Sequence, residues 1–181
     1  MAITLENRKQ KTETGKRPES GFALLVAVIF MSVMLTFGVT LGSLAYKQQV
    51  LASTAVESQY AFYVADAALE CALYEDQQLN FFAFPATQPS SAPLMTCDGI
   101  SATFSPAYPT GIVSYIPLTK WVITERLSLD SNKRCADITV YKPAQSSGTT
   151  YIFSQGYNVS CDTVANPGGV RFVSRGLNAH Y

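Results

Sequence analysis

The sequence predicts an α+β fold. One long N-terminal helix, transmembrane first and amphipathic after, packs against a C-terminal antiparallel β-sheet, and disulfides staple the exported part. Three observations carry this. No charged residue occurs from Gly21 to Tyr46. No proline occurs between Pro18 and Pro85. Beyond about residue 100, short runs of alternating apolar and polar residues are separated by turn-forming residues.

The 181 residues suit one ordinary domain with extensions. Thirteen basic residues balance thirteen acidic ones, so the chain has no basic excess with which to bind nucleic acid. The first 21 residues are polar and hold Arg8, Lys9, Lys11, Lys16 and Arg17. They read as an unstructured basic leader.

Residues 22–46 follow as the transmembrane segment. A bilayer core needs roughly 20 apolar helical residues, and the run GFALLVAVIFMSVMLTFGVTLGSLAY exceeds that. It is also longer than the apolar part of a signal peptide. Basic residues cluster before it, and acidic Glu57, Asp66, Glu70, Glu75 and Asp76 follow it. This asymmetry keeps the N-terminus in the cytoplasm, and everything after about residue 47 is exported. The expected location is therefore a membrane, crossed once.

The helix is expected to continue to about Gln78. Residues 47–78 are rich in Ala, Glu, Gln and Leu, which favour helix. Val50, Leu51, Thr54, Ala55, Ser58, Phe62, Ala65, Leu69, Ala72 and Leu73 recur at three- and four-residue steps and form the expected buried stripe. An anchor alone needs no such extension. The stripe must be buried on the chain's own sheet, on other subunits, or on both.

Residues 79–181 form the expected globular β-domain. The stretch from Phe81 to Thr96 reads as loop. Strands are expected at 100–105, 111–118, 120–129, 135–141, 150–159 and 170–181. DSNK (130–133) and AQSSG (144–148) read as hairpin connections. A sheet of four to six strands results, with one face covering the exported helix.

Cys71, Cys97, Cys135 and Cys161 are the four cysteines. Four cysteines allow three pairings. The layout favours Cys71–Cys97, joining helix end to loop end, and Cys135–Cys161, opening one strand and closing the next. Each loop of roughly 25 residues is worth about 3 kcal/mol in the chain-entropy model.

Candidate chemistry is sparse. Asp66 and Glu70 share a helix face, and with Glu57 they read as a solvated or contact surface. Arg126, Arg134, Arg171 and Arg175 are available to pair with them across the sheet. Trp121 sits in an alternating run and reads as core. His180 reads as an ordinary terminal-strand residue, and no serine motif accompanies it. Asp98-Gly99 and the 162–169 loop carry oxygen ligands at spacings unlike a calcium loop. Asn158-Val159-Ser160 fits a glycosylation sequon. No enzyme activity, metal or cofactor is expected.

The junction Ser20-Gly21-Phe22-Ala23-Leu24-Leu25-Val26, with its basic leader and overlong helix, resembles the type IV pilin and pseudopilin family. The stretch Tyr60-Ala61-Phe62-Tyr63-Val64-Ala65-Asp66-Ala67-Ala68-Leu69-Glu70 is similar to an alanine-rich segment of PilX-type minor pilins. Ser154-Gln155-Gly156-Tyr157 and Arg171, Val173, Arg175 and Leu177 are similar to their closing strands. The resemblance covers most of residues 20–78, thins over 135–181, and hardly touches 79–134.

The resemblance implies cleavage between Gly21 and Phe22 by a prepilin peptidase and N-methylation of Phe22. It implies other major and minor pilins as partners through the N-terminal helix, with an inner-membrane assembly platform and, before assembly, the lipid bilayer. The location it implies is the bacterial inner membrane first and a cell-surface pilus after assembly. The family's usual glutamate at the fifth mature position is replaced by Val26. That departure, shared by tip pseudopilins, points to a subunit at or near the filament tip that assists initiation of assembly. Insertion along the shaft is the other reading. From another class, the alternative is an uncleaved single-pass anchored protein that binds a ligand with its exported domain.

Overall fold

A computed structural model describes residues 20–97, 99–144 and 148–181. The leader expected at 1–21 thus lies outside the described residues except for Ser20 and Gly21. The elements run α1 (Ser20–Leu79), β1 (Thr96–Cys97), β2 (Ile100–Ser101), β3 (Ile112–Ile116), β4 (Lys120–Leu129), β5 (Arg134–Pro143), β6 (Tyr151–Tyr157), α2 (Cys161–Ala165) and β7 (Ser174–His180). The class is α+β. The chain divides into two compact units, Met1–Gln49 and Val50–Tyr181.

In the first unit α1 is exposed from Gly21 to Gln49 and carries no charged residue before Lys47. It is long and apolar enough to cross a membrane once. Its few hydroxyl residues bond to their own backbone. Ser32 donates to the Ile29 carbonyl at 2.8 Å, Thr36 to Val33 at 2.7 Å, Thr40 to Phe37 at 2.9 Å and Ser43 to Thr40 at 2.9 Å. Ser and Thr reach back this way because their hydroxyls are short enough to meet the carbonyl one turn earlier.

In the second unit β3 to β7 form one antiparallel meander, in the order β3-β4-β5-β6-β7. The longest pairing runs from Lys120↔Pro143 to Leu129↔Arg134. The DSNK hairpin closes it with Asp130, Ser131 and Asn132 all at positive φ, a region that Asn and Asp tolerate better than most residues. Alternation sends Trp121, Ile123 and Leu127 of β4, Ala136, Ile138 and Val140 of β5, and Ile152 of β6 into one core with Val64, Ala68, Leu69 and Ala72 of α1. Phe82 and Met95, from the segment after the helix, are fully buried in it.

Beyond Gln49 the buried stripe of α1 keeps Ala65, Leu69 and Ala72 of the expected one and loses its earlier members. Ala61, Ala65, Ala68 and Ala72 are completely buried, with Val64 and Leu69 beside them. Val50, Leu51 and Phe62 are exposed. The cause lies on β6. A Cβ added at Gly156 would overlap the backbone of Ala61 and Ala65. The helix rests on the sheet through alanines because nothing larger fits there. Apolarity at helical spacing marks Phe62 and Ala65 alike; the closeness of the sheet separates them.

Three other expectations change. The strand expected at 100–105 shortens to β2, paired with β1, followed by a single bridge between Thr103 and Arg126. The loop expected up to Thr96 thus ends in a short strand. Cys161 does not close β6, which stops at Tyr157, opposite Cys135. Ser160 instead caps a helical turn, accepting from the Thr163 amide at 3.4 Å, and Cys161 opens that turn. Serine at an N-cap satisfies an amide that the turn leaves unpaired, and the chain bends back towards Cys135.

Candidate functional site

The Gly21–Phe22 junction sits at the start of α1. Gly21 is the second residue of the helix and Phe22 the third. Phe22 is 74% exposed and Val26 47%. Around them Leu24, Leu25, Ile29 and Phe30 are exposed as well. An all-round apolar helix needs an apolar surrounding, which lipid or packed protein supplies.

The disulfides lie in the second unit. Cys71 is bonded to Cys97 with Cα atoms 6.1 Å apart, and Cys135 to Cys161 at 4.8 Å. The first ties the last turns of α1 to β1. The second ties the start of β5 to α2.

Three polar clusters remain, each anchoring one part of the sheet. Arg126 Nε and Nη2 donate to the two Asp137 carboxylate oxygens at 2.7 and 2.8 Å, and Tyr157 Oη donates to Asp137 at 3.2 Å. The hydrogen bond that Arg126 donates to Asp137 raises the Arg126 pKa. Burial, then the Asp137 carboxylate, push the Tyr157 phenol up to about 12.

At the far end of α1, buried Asp76 accepts two bonds from Lys142 Nζ, at 2.7 and 2.6 Å, and one from the Tyr181 hydroxyl. Burial and Asp76 hold that phenol well above its ordinary range. A groove of about 470 Å³ opens beside it, lined by Asn80, Phe84, Lys142 and Tyr181 among others.

Glu125 is the third. Its side chain points into the core at 2% exposure. Oε2 accepts the Met95 amide at 2.9 Å, while Oε1 has no partner among the described residues. Burial raises its pKa from 4.5 to about 7; the Met95 bond opposes this and nearby Glu75 adds to it.

The carboxylates singled out on the helix do not join these clusters. Among the described residues, the ion pairs are Arg126–Asp137 and Lys142–Asp76. Among them, Asp66 and Glu70 pair with none of the four arginines available to them. Arg134 lies 4.8 Å from the Tyr60 ring centre and donates to the Asn158 carbonyl, and Arg175 donates to Ser58. Glu57 and Arg171 line one small cavity with Thr54, Phe172 and Val173. Asp76 and Glu125 were not legible as special, because their partners lie 66 and 30 residues away.

Trp121 is 3% exposed and sits in the core, its indole nitrogen without a partner among the described residues. His180 is on β7, its ring 5.8 Å from Tyr151. Asn158 of the sequon accepts the Val173 amide through its side-chain oxygen at 2.8 Å. Asp98 lies outside the described residues. Among the described residues no three His, Cys, Asp or Glu side chains converge to hold a metal.

Comparison with known proteins adds no relative: no family model, no curated protein and no solved structure matches this chain.

Proposed function

We propose that this chain is a minor subunit of a type IV pilus-like filament, positioned at or near the tip and assisting the start of assembly. The reading rests above all on α1. One helix runs from Ser20 to Leu79; its apolar first part is wholly exposed, and its later part is seated on a disulfide-bonded antiparallel sheet. The helix continues far past what a span requires. The Gly21–Phe22 junction supplies the processing site, at which a prepilin peptidase would cut and methylate Phe22. Other pilins would take up the exposed apolar helix after the bilayer has held it.

Val26 supports the tip position. A carboxylate buried in an apolar surrounding is retained where it has a partner charge. A subunit with valine there has no group to receive a neighbour's terminal ammonium, and a subunit at the end of a filament needs none.

Mass spectrometry of the protein from its native host tests the reading. An N-terminal N-methylphenylalanine at residue 22 is expected. A mature population that retains Met1 while the peptidase is present overturns it, in favour of an uncleaved anchored binding protein. Immunogold labelling along whole filaments would replace the tip position with the shaft.

A further inference from the structure

The outer face of the sheet, opposite α1, carries an aromatic cluster that the core does not use. Tyr141 on β5 is the cross-strand partner of Tyr151 on β6, which is in turn the partner of His180 on β7. Phe153 stands two residues along β6, on the same face. The rings of Tyr151 and Phe153 are nearly parallel, with centres 6.5 Å apart, and Tyr141 meets Phe153 edge-on at 6.1 Å. Each of the three is about two-fifths exposed. They border a shallow apolar cleft of about 310 Å³.

Phe153 also lines a second hollow, about 390 Å³, that continues along the same strands. Its other walls include Asp137, Thr139, Gln155 and Asn178. Apolar ring surface thus runs directly into a row of carboxamide, hydroxyl and carboxylate groups. Such a pairing of apolar wall with a few polar groups is the usual make-up of a small-ligand site.

We propose that this face binds a neutral oligosaccharide. The apolar C–H face of a pyranose carries slight positive charge and suits the electron-rich face of an aromatic ring. Its hydroxyls both donate and accept, as do the side chains of Thr139, Gln155 and Asn178. Charge selects against the other ligands that stack on aromatics. Neither hollow is lined by Lys or Arg, and the one ionised group in the walls is the Asp137 carboxylate, matched by Arg126. A nucleic acid strand would find no cation for its phosphates. An extended peptide cannot add as a strand at β5 or β6, which are paired on both sides, and one added at the outer edge of β7 would lie beside the rings and not over them. The inference does not depend on the chain's place in a filament.

Isothermal titration of the full-length chain in lipid nanodiscs tests it. The probes are cellohexaose, chitohexaose and lacto-N-tetraose, with a fifteen-residue oligothymidylate for comparison. Saturable binding of at least one sugar is expected, weakened about tenfold by Tyr151→Ala and by Phe153→Ala. Phe153→Tyr, which keeps the ring, should bind within about threefold of the parent. All these side chains are exposed, and near-ultraviolet circular dichroism will show each variant folded. Absence of saturable binding by all three sugars overturns the proposal. So does binding indifferent to both alanine variants, or tighter binding of the oligothymidylate.

Discussion

Gly156 of β6 lies directly against the backbone of Ala65 on α1, with no room between them for a methyl group. Helix and sheet meet there backbone to backbone. Gly156→Ala should therefore force strand or helix to shift, since no flexible side chain can yield. A loss of about 2–3 kcal/mol is expected, at the upper end for overpacked cores. Urea unfolding of the parent and the variant, both oxidised, measures it. A loss below 0.5 kcal/mol would show that the two elements part easily.

Asp76 has no exposed side-chain surface, and Lys142 neutralises it. Lys142→Met strands a buried carboxylate and should cost about 3 kcal/mol. Replacing both charges, as Asp76→Asn with Lys142→Met, should cost less than the sum of the single changes. A double-mutant cycle by chemical denaturation gives that coupling. Strictly additive losses would mean the pair contributes nothing as a pair.

Glu125 gives the pH dependence a definite sign. Its folded pKa of about 7 exceeds the ordinary 4.5, so the folded state holds the proton more tightly than the unfolded one. Its contribution is fully favourable below pH 4.5 and is lost as pH rises through 7. A shift of this size corresponds to about 3 kcal/mol at most. Glu125→Gln retains an acceptor for the Met95 amide and has no proton to lose. It should raise the melting temperature at pH 8 and leave it nearly unchanged at pH 4.5. Equal shifts at both pH values would remove the titration of Glu125 as the cause.

Each disulfide spans 26 residues of chain. Removing Cys135–Cys161 by paired alanine substitution should lower stability by about 3 kcal/mol. Removing Cys71–Cys97 should cost a similar amount and free the segment carrying Met95, the partner of Glu125. Hydrogen exchange at the Met95 amide should therefore quicken in that variant and stay protected when Cys135–Cys161 is removed.

Much of this fold was legible because its signals are local. The charge-free run, the absence of proline and the alternation in KWVITERLSL each depend on neighbours within a few residues, and β4 occupies the expected 120–129 span. What stayed hidden depends on distant approach. Which helix face is buried was settled by Gly156, some ninety positions from Ala65, and no periodicity distinguishes Ala68 from Phe62 in advance. The helical turn at Cys161 was missed because DTVANPGG reads as loop, although Ser160 is a proper cap for it. The outer-face rings were visible only as strand aromatics. Tyr141, Tyr151 and His180 become one cluster through register, which the sequence leaves open.

The hydroxyls of Ser32, Thr36, Thr40 and Ser43 have a consequence for how this helix can travel. Each is already bonded within its own turn, as is the backbone beside it. In an apolar environment these hydroxyls therefore call for no partner outside the helix. Between Ser32 and Ser43, then, polar side chains make no demand on their surroundings, and an apolar environment can accept that stretch on side-chain fit.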